Sequence, residues 1–291
     1  MQRLSREHYT TVLDPALSPA ITVASGETLV VETWDAYMGV WDAEREPPIV
    51  GAATGPIAVA GAQPGDALRI DILAITPGPT AMHDVRAGRG FLGDTFTERR
   101  PTVMPVQDGH LLFPNGLRLP LNPSVGLIAT TPTTIQITAS DSGPYGGDLD
   151  MKELTAGSTI WLPVFVPGGL LVLGDCHAMV GDGAVGGTGA ECSAELTLRL
   201  TVEKDRHLAR PQALTPHYFA TLVAGDDLGQ AMRQAVRDMV DFLVQEYGLE
   251  PYQAYSLLSL AGDVRVSRTF RPLSPVKMLL SRTVLEQLER Q

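Results

Sequence analysis

Short stretches in which apolar and polar residues alternate fill the chain from residue 20 to about residue 202, and glycines and prolines separate them. The clearest stretch is 193–202, where Leu196, Leu198 and Leu200 share one face of an extended chain. This alternation is typical of an antiparallel β-strand with one face buried and the other in solvent. Further strands are predicted at 21–23, 28–33 and 67–73.

The pattern changes to a helical period toward the C-terminus. Apolar residues recur at intervals of three and four from Leu228 to Tyr247, with Asp226 or Asp227 placed to cap the start and Gly248 to end the helix. We expect the apolar stripe of this helix to pack onto the β-rich body or a neighbouring subunit. The stripe consists of Leu228, Met232, Val236, Met239 and Leu243.

Two shorter helical patterns follow. Pro251 suits the first turn of a second helix over 251–261, and a weaker apolar pattern over 276–291 predicts a third helix. The chain is therefore expected to be mainly β, with a β-rich catalytic body at 1–215. We expect a smaller α+β portion at 216–291 to pack on that body and to form one structural unit with it.

The composition is that of a globular, acidic protein. Of the 291 residues 44% are hydrophobic, which supplies a core large enough to exclude disorder as the main state. The 22 Lys and Arg against 33 Asp and Glu give a net charge of −11, and no basic run offsets it. Such a surface repels phosphate backbones and anionic lipids, so we expect neither nucleic acid nor a membrane as partner.

We expect the protein to stay in the cytoplasm. The charged N-terminal stretch as far as Asp14 has no apolar run of the secretory type. The most apolar stretch, 160–173, is too short to span a bilayer and contains prolines and glycines. With only Cys176 and Cys192, no disulfide framework can be argued, and we expect both cysteines to be packing residues in a cytoplasmic protein.

Reactive side chains are concentrated between residues 143 and 191, and the first group is Asp148 with Asp150. In an extended chain two residues that are two apart point to the same side, so these carboxylates can hold a cation or share a proton. The alternative is that both are turn residues that accept hydrogen bonds from their own backbone.

The second group is Asp175 with His177, which follow a buried apolar stretch. A carboxylate and an imidazole on one face form half of a metal site or an acid–base pair. The alternative is a histidine at a strand end that a neighbouring aspartate satisfies. Cys176 points to the opposite face, which argues against a thiolate ligand or nucleophile.

Glycines crowd the last part of this segment, 181–191, without the spacing or the lysine of a phosphate-binding loop. They favour close approach of backbone amides to a small ligand, where N–H groups can polarise a carbonyl oxygen.

Taken together, these motifs resemble the acetamidase/formamidase family. The segments that carry the resemblance in order are GPYGGDLDMK at 143–152, GSTIWLPVFVPGGLL at 157–171, GDCHA at 174–178, GDG at 181–183 and GTGAE at 187–191, supported by 32–36, 55–59, 61–66, 122–126 and 255–263. The resemblance covers most of the chain. It implies a β-sandwich-like fold with a small α+β subdomain and a homo-oligomer. It also implies a hydrolase that releases ammonia and a carboxylate from short linear amides.

The chain departs from the family pattern at three positions. Asp148 stands where the family usually has asparagine, Ala184 stands where it has glutamate, and Tyr145 replaces a frequent histidine. A carboxylate gained at position 148 and a carboxylate lost at position 184 leave the net charge of the site unchanged. Asp148 is therefore a candidate to replace the missing glutamate.

The leading hypothesis is amide hydrolysis assisted by a divalent metal, zinc in first place and calcium as the alternative, held by Asp150, Asp175 and His177. Asp182 or Asp148 is the expected proton carrier. The other candidates are Glu191 as a catalytic group or alternative ligand, and Asp35, Gly146 and Gly147 for substrate binding. Two rivals stay open: a small-molecule binding protein that lost catalysis with the glutamate, and a hydrolase of cyclic amides or guanidine-like groups.

Overall fold

Strands make up most of the regular structure in the computed structural model, which describes residues 1–42, 44–45, 50–134, 136–269 and 273–290. The strands of the first half are β1 Gln2–Leu4, β2 Tyr9–Thr10, β3 Val12–Leu13, β4 Ile21–Val23, β5 Glu27–Thr33, β6 Ala53–Val59, β7 Ala67–Pro77, β8 Thr80–Val85, β9 Arg100–Gln107, β10 His110–Leu112, β11 Arg118–Pro120, β12 Ser124–Ala129, β13 Ile137–Thr138, β14 Ser142–Gly143 and β15 Gly146–Asp148. Those of the second half are β16 Thr159–Pro163, β17 Leu171–Met179, β18 Ala190–Cys192, β19 Ala194–Glu203, β20 Gln212–Leu214, β21 Tyr218–Gly225, β22 Gly262–Val266 and β23 Ser274–Ser281. The helices are α1 Leu228–Tyr247, α2 Pro251–Ala261 and α3 Arg282–Leu288.

Two large sheets face each other across one apolar core. One sheet has the strand order β1-β5-β19-β7-β16-β20-β21-β23-β22, and the other contains the run β9-β8-β18-β17-β12-β15. Buried side chains from both sheets form a single cluster, to which Leu29, Ile70 and Leu198 contribute from the first sheet and Ile57 and Leu173 from the second. The predicted mainly β, sandwich-like fold is confirmed. In the described ranges no helix is both long and apolar enough to cross a membrane.

The strands predicted from alternation are present. β4 has the predicted bounds, while β5, β7 and β19 differ from the predicted stretches by one to a few residues at their ends. In β19 Leu196, Leu198 and Leu200 are buried and Arg199 is exposed, as a strand with one solvated face requires.

The long C-terminal helix is confirmed together with its caps. Asp227 accepts a hydrogen bond from the amide of Gln230, and Gly248 ends the helix in a left-handed conformation. The predicted apolar stripe packs within the chain, against β21 and β23, with Met239 and Leu243 fully buried. Packing of this helix on a neighbouring subunit stays a prediction.

The prediction for 276–291 is wrong in its first part. Residues as far as Ser281 belong to β23, which pairs with β21 on one side and β22 on the other, and only α3 after it is helical. A short apolar run suits either a buried strand or a buried helix, and here two neighbouring strands determine the outcome. Gln291 lies outside the described residues.

Candidate metal centre and active site

Asp150, Asp175 and His177 come together in one buried cluster. Each offers a carboxylate oxygen or a ring nitrogen, these atoms lie within 4.8 Å of one another, and all three residues are buried. Asp175 and His177 both lie in β17 and reach the cluster, while Cys176 between them packs in the main core. Asp175 has a left-handed φ of +50°, so the strand is not regular at this point. Burial raises the pKa of Cys176 to about 12, so it stays a neutral thiol.

Asp150 reaches this cluster by a route that the sequence did not predict. The chain was expected to stay extended from Asp148 to Asp150, but β15 ends at Asp148 and Asp150 has a φ of +46°. The amides of Leu149 and Asp150 both donate to the carbonyl oxygen of Gly126, at 2.7 and 3.1 Å. A turn, and not strand alternation, therefore directs Asp150 toward His177, whose Nε2 lies 3.6 Å from Asp150 Oδ1.

Two glycines leave the space that the cluster occupies. A Cβ on Gly126 would lie 2.4 Å from the carbonyl oxygen of Asp175 and 2.6 Å from Cε1 of His177. A Cβ on Gly189 would lie 2.5 Å from Cδ2 of the same ring. Separations below 3 Å are not tolerated between such atoms, so the imidazole can sit between β12 and the 183–189 loop only because both positions lack side chains.

Glu191 in β18 is the fourth member of the cluster. Its Oε1 lies 3.3 Å from Nε2 of His177 and accepts a hydrogen bond of 2.8 Å from the amide of Gly189. Its Oε2 is buried and has no hydrogen-bond partner among the described residues. Glu191 also lies within hydrogen-bonding reach of the Asp175 carboxyl group, so its carboxylate contacts two other members of the cluster.

Burial and mutual repulsion shift the pKa values of these groups strongly. Burial and then the charge of Asp148 raise the pKa of Asp150 to about 7, and burial and Glu191 raise that of Asp175 well above its usual value. Burial opposes the charge on His177, but the surrounding carboxylates outweigh it and raise the pKa of the imidazole. Burial likewise opposes the charge on Glu191, yet His177 lowers its pKa to about 2.

These residues fit a bound cation. Oδ1 of Asp150 and Oδ1 of Asp175 are buried without hydrogen-bond partners in the part of the chain that the structure describes, as is Nδ1 of His177. Such atoms cost free energy unless something satisfies them, and a divalent cation would do so while offsetting the crowded negative charge. Two carboxylates and an imidazole are donors that zinc accepts in three-ligand catalytic sites.

Arg268 lies behind the carboxylates and was not identified from the sequence. It is fully buried, and its Nη1 lies 3.3 Å from Oδ2 of Asp148 while its Nε lies 3.7 Å from Oδ2 of Asp150. Asp148 thus faces an arginine from the C-terminal portion, and this ion pair balances part of the negative charge in the cluster.

A small cavity opens beside the cluster. Its volume is about 20 Å³, room for about one water molecule, and Asp148, Glu191 and the three clustered residues line part of it. Tyr37 and Arg89 line another part, and Nη1 of Arg89 donates a hydrogen bond of 2.9 Å to the hydroxyl oxygen of Tyr37. Burial raises the pKa of Tyr37 to about 12, so its hydroxyl keeps a proton that it can donate into the cavity.

Several residues predicted for the site lie elsewhere. Asp35 accepts hydrogen bonds from the amides of Tyr37 and Gly39 and from the indole of Trp41, so it shapes the loop that carries Tyr37. Asp35 is not among the described residues that line the cavity, nor are Gly146 and Gly147, which lie in β15 and pair with β12 and β14. A role of these three residues in substrate binding stays a prediction.

Asp182 also lies away from the cavity lining. Its two oxygens lie 2.6 Å from the ammonium groups of Lys277 and Lys152, respectively. Ala184 is buried in the same loop with a φ of +41° and likewise is not among the described lining residues. The expected role of Asp182 as proton carrier stays a prediction, and its position favours a structural one.

Sequence reasoning missed Gly126, Gly189, Arg268, Tyr37 and Arg89. Gly126 and Gly189 lie in segments that carry the family resemblance, so a signal existed, although nothing in it indicated contact with His177. The other three are single residues in segments without a motif, and only the tertiary structure brings them to the cluster.

The chain is similar to known proteins over most of its length. A sequence profile of the acetamidase/formamidase family matches residues 5–142 and 138–270. The formamidase of Methylophilus methylotrophus is 26% identical over 288 residues, covering 72% of this chain and 70% of that protein. The acetamidase of Mycolicibacterium smegmatis is 27% identical over 247 residues, covering 60% of this chain and 61% of that protein.

The same likeness extends to three dimensions. The crystal structure of an acetamidase from Bacillus halodurans matches with a TM-score of 0.94 and 35% identity, covering 98% of this chain and 99% of that chain. The profile match spans most of the sequence, and the strands that hold the cluster lie within it. The chain belongs to the acetamidase/formamidase family.

Proposed function

We propose that this protein hydrolyses the carbon–nitrogen bond of short linear amides and releases ammonia and a carboxylate. Membership of the acetamidase/formamidase family makes the chain an amidase. The observation that carries the proposal is the cluster of four buried carboxylates and a histidine that lines one polar cavity. The relatives named formamidase and acetamidase favour an amide with a small acyl group as the substrate.

The proposed cofactor is a divalent cation, zinc in first place, held by Asp150, Asp175 and His177. Their buried oxygens without hydrogen-bond partners in the described ranges support this assignment, as does the short distance among their donor atoms. When bound, such a cation supplies Lewis acidity toward the amide carbonyl and toward water. The imidazole favours zinc over calcium, which prefers six to eight oxygen ligands.

Glu191 is the proposed proton carrier. Oε2 of Glu191 accepts no hydrogen bond from the described residues, and Glu191 lines the cavity. A carboxylate in this position can accept a proton from the attacking water and pass it to the departing amine. Asp148 is the alternative carrier, but its Oδ2 already lies 3.3 Å from the Arg268 guanidinium in an ion pair.

Tyr37 is proposed to hold the substrate carbonyl. Its hydroxyl oxygen already accepts a hydrogen bond from Arg89, so its own proton is available to an acceptor in the cavity. A donor of this kind stabilises negative charge that develops on the carbonyl oxygen in the transition state.

Metal analysis and an ammonia assay on one purified preparation test the proposal. We expect the wild type to contain close to one equivalent of zinc and to release ammonia from formamide or acetamide. Chelation should remove the activity, and zinc should restore it. His177→Ala should lose both metal and activity, whereas His110→Ala, in β10 and outside the cavity lining, should keep both.

The other outcomes separate the rivals. Ammonia release by protein with no bound metal would contradict the proposed cofactor. Bound metal without turnover of any linear amide would contradict the proposed substrate class. In the second case cyclic amides and guanidine-like compounds are the next panel, since Ala184 replaces the family glutamate. Retention of one equivalent of metal by His177→Ala would rule out that residue as a ligand.

A further inference from the structure

Arg268 joins the C-terminal portion of the chain to the carboxylate cluster. It follows β22 by two residues, and the structure pairs it with Gly183 in an isolated parallel bridge that a hydrogen bond from the Gly183 amide to the Ser267 carbonyl supports. The side chain is fully buried although it carries a positive charge. A buried arginine is stable only where acceptors surround it, so its neighbours indicate what it does.

The guanidinium forms hydrogen bonds and ion pairs with the segment that carries Asp148 and Asp150. Its Nε and Nη2 donate to the carbonyl oxygen of Asp148 at 3.1 and 2.8 Å, and Nη2 also donates to Oγ of Ser142 at 2.9 Å. The same group lies 3.3 Å from Oδ2 of Asp148 and 3.7 Å from Oδ2 of Asp150. The planar guanidinium of Arg268 therefore contacts both the backbone and the carboxylates of this turn.

The two oxygens of Asp150 face different partners as a result. Oδ2 faces Arg268, while Oδ1 faces Nε2 of His177 at 3.6 Å. Asp150 has a positive φ, which for a residue with a side chain persists only when its surroundings hold it there. Arg268 on one side and the Gly126 carbonyl on the other are those surroundings.

We propose that Arg268 is a positioning residue of the metal centre, which orients Asp150 so that one of its oxygens remains free for the cation. This inference rests on the proposed function, because it assigns a role in a centre that Asp150, Asp175 and His177 form. It also means that the C-terminal portion completes the active site and is more than a packing element.

Arg265 provides a matched control. It lies in β22, three positions before Arg268, and it is partly buried. Its ion pairs are with Asp263 at 2.7 Å and Glu153 at 3.4 Å, and neither partner lines the cavity. Loss of this arginine removes one positive charge from the same strand region without touching the cluster.

The test is the zinc affinity of the metal-free protein, measured by competition with a chromogenic chelator. We expect Arg268→Gln to bind zinc about 10- to 100-fold more weakly than the wild type, which is the range for losing a group that orients a ligand. Arg268→Lys keeps the positive charge but lacks the planar set of N–H donors, so its zinc affinity should fall about tenfold. Arg265→Gln should bind zinc as the wild type does.

A second measurement separates positioning from general stability. In Arg268→Ala, millimolar guanidinium chloride, far below a denaturing concentration, should restore part of the zinc affinity and of kcat, because a free guanidinium can occupy the vacated space. A purely structural role predicts a lowered melting temperature with no such rescue.

The outcomes are distinct from those of the proposed function. If the wild type binds no zinc, the metal centre itself is wrong. If the wild type binds zinc and Arg268→Gln and Arg268→Lys bind it equally well or more tightly, the role of Arg268 is wrong. Should Arg268→Gln not fold, Arg268→Lys decides, since wild-type affinity in that variant overturns the inference.

Discussion

Gly126 and His177 are packed so closely that a methyl group on Gly126 would lie 2.6 Å from Cε1 of the imidazole. The two residues belong to neighbouring antiparallel strands, in which Ser124 pairs with His177 and Val125 with Cys176. The same Gly126 carbonyl accepts the amides that turn Asp150 toward the ring. One glycine therefore sets the positions of two of the three proposed ligands.

Gly126→Ala should damage the site more than the fold. The added methyl must displace the imidazole or the Asp175 backbone, which costs about 1–3 kcal/mol of stability and moves the proposed ligands apart. We expect loss of bound zinc and of amidase activity, with a protein that still unfolds cooperatively. Gly181→Ala is the control, since nothing lies within 4 Å of a Cβ built there. Full zinc content in Gly126→Ala would show that the close contact does not constrain the ligands.

Tyr37→Phe should lower kcat without loss of metal. If the hydroxyl holds the carbonyl oxygen in the transition state, its removal costs about 100- to 1,000-fold in kcat. Steady-state ammonia release and metal content of the same sample measure both effects. Tyr145→Phe, which changes a buried tyrosine that does not line the cavity, should be close to the wild type. An unchanged kcat in Tyr37→Phe would exclude this role.

The carboxylates at 191 and 148 offer two competing proton carriers. We expect Glu191→Gln to lower kcat by about 10²–10⁴, the usual contribution of a general base, while retaining zinc. Asp148→Asn should have the smaller effect, because the Asp148 carboxylate is already engaged in an ion pair with Arg268.

The opposite result would support an exchange of carboxylates between positions 148 and 184. In that case Asp148→Asn nearly abolishes activity, and adding Ala184→Glu in the same background recovers part of it. If neither Asp148→Asn nor Ala184→Glu changes the rate, the exchange hypothesis is wrong.

Asp182→Asn should reduce stability and leave kcat unchanged. Lys277 is fully buried, and its ammonium has Glu153 and Asp182 as carboxylate partners at 2.5 and 2.6 Å. Removing one of them costs about 1–3 kcal/mol in the free energy of unfolding, which urea denaturation measures. A lower kcat at unchanged stability would instead support Asp182 as the proton carrier.

The effect of Asp182→Asn on stability should depend on pH with a definite sign. Burial opposes ionisation of Asp182, but Lys277 and Lys152 outweigh it and lower the pKa below the ordinary 3.8. A group with a lowered folded pKa stabilises the protein above the unfolded pKa, and that contribution disappears as the pH falls through the folded pKa. The difference between wild type and Asp182→Asn should therefore be full at pH 7 and shrink below pH 3.8. A difference that stayed constant over this range would point to lost packing and not to lost charge.

Local pattern was sufficient for much of the fold. The alternation in β19 and the three- and four-residue period of α1 predicted strand and helix correctly, because in each case one face is buried and the other is solvated. β23 shows the limit of this reasoning. Its residues are nearly all buried, so no polar face marks the period, and the pairing with β21 and β22 decides that it is a strand.

The same division holds for the site. The sequence by itself predicted that Asp175 and His177 would meet at one site with Cys176 directed away from it, and the structure brings both to the cluster, although Asp175 has a φ of +50° and so departs from regular strand alternation. Only the tertiary structure decided how Asp150 turns to meet them, and that Arg268, far along the chain, lies against it. Those positions depend on contacts between segments distant in sequence, where close packing and the pairing of buried charge select one arrangement that no local period encodes.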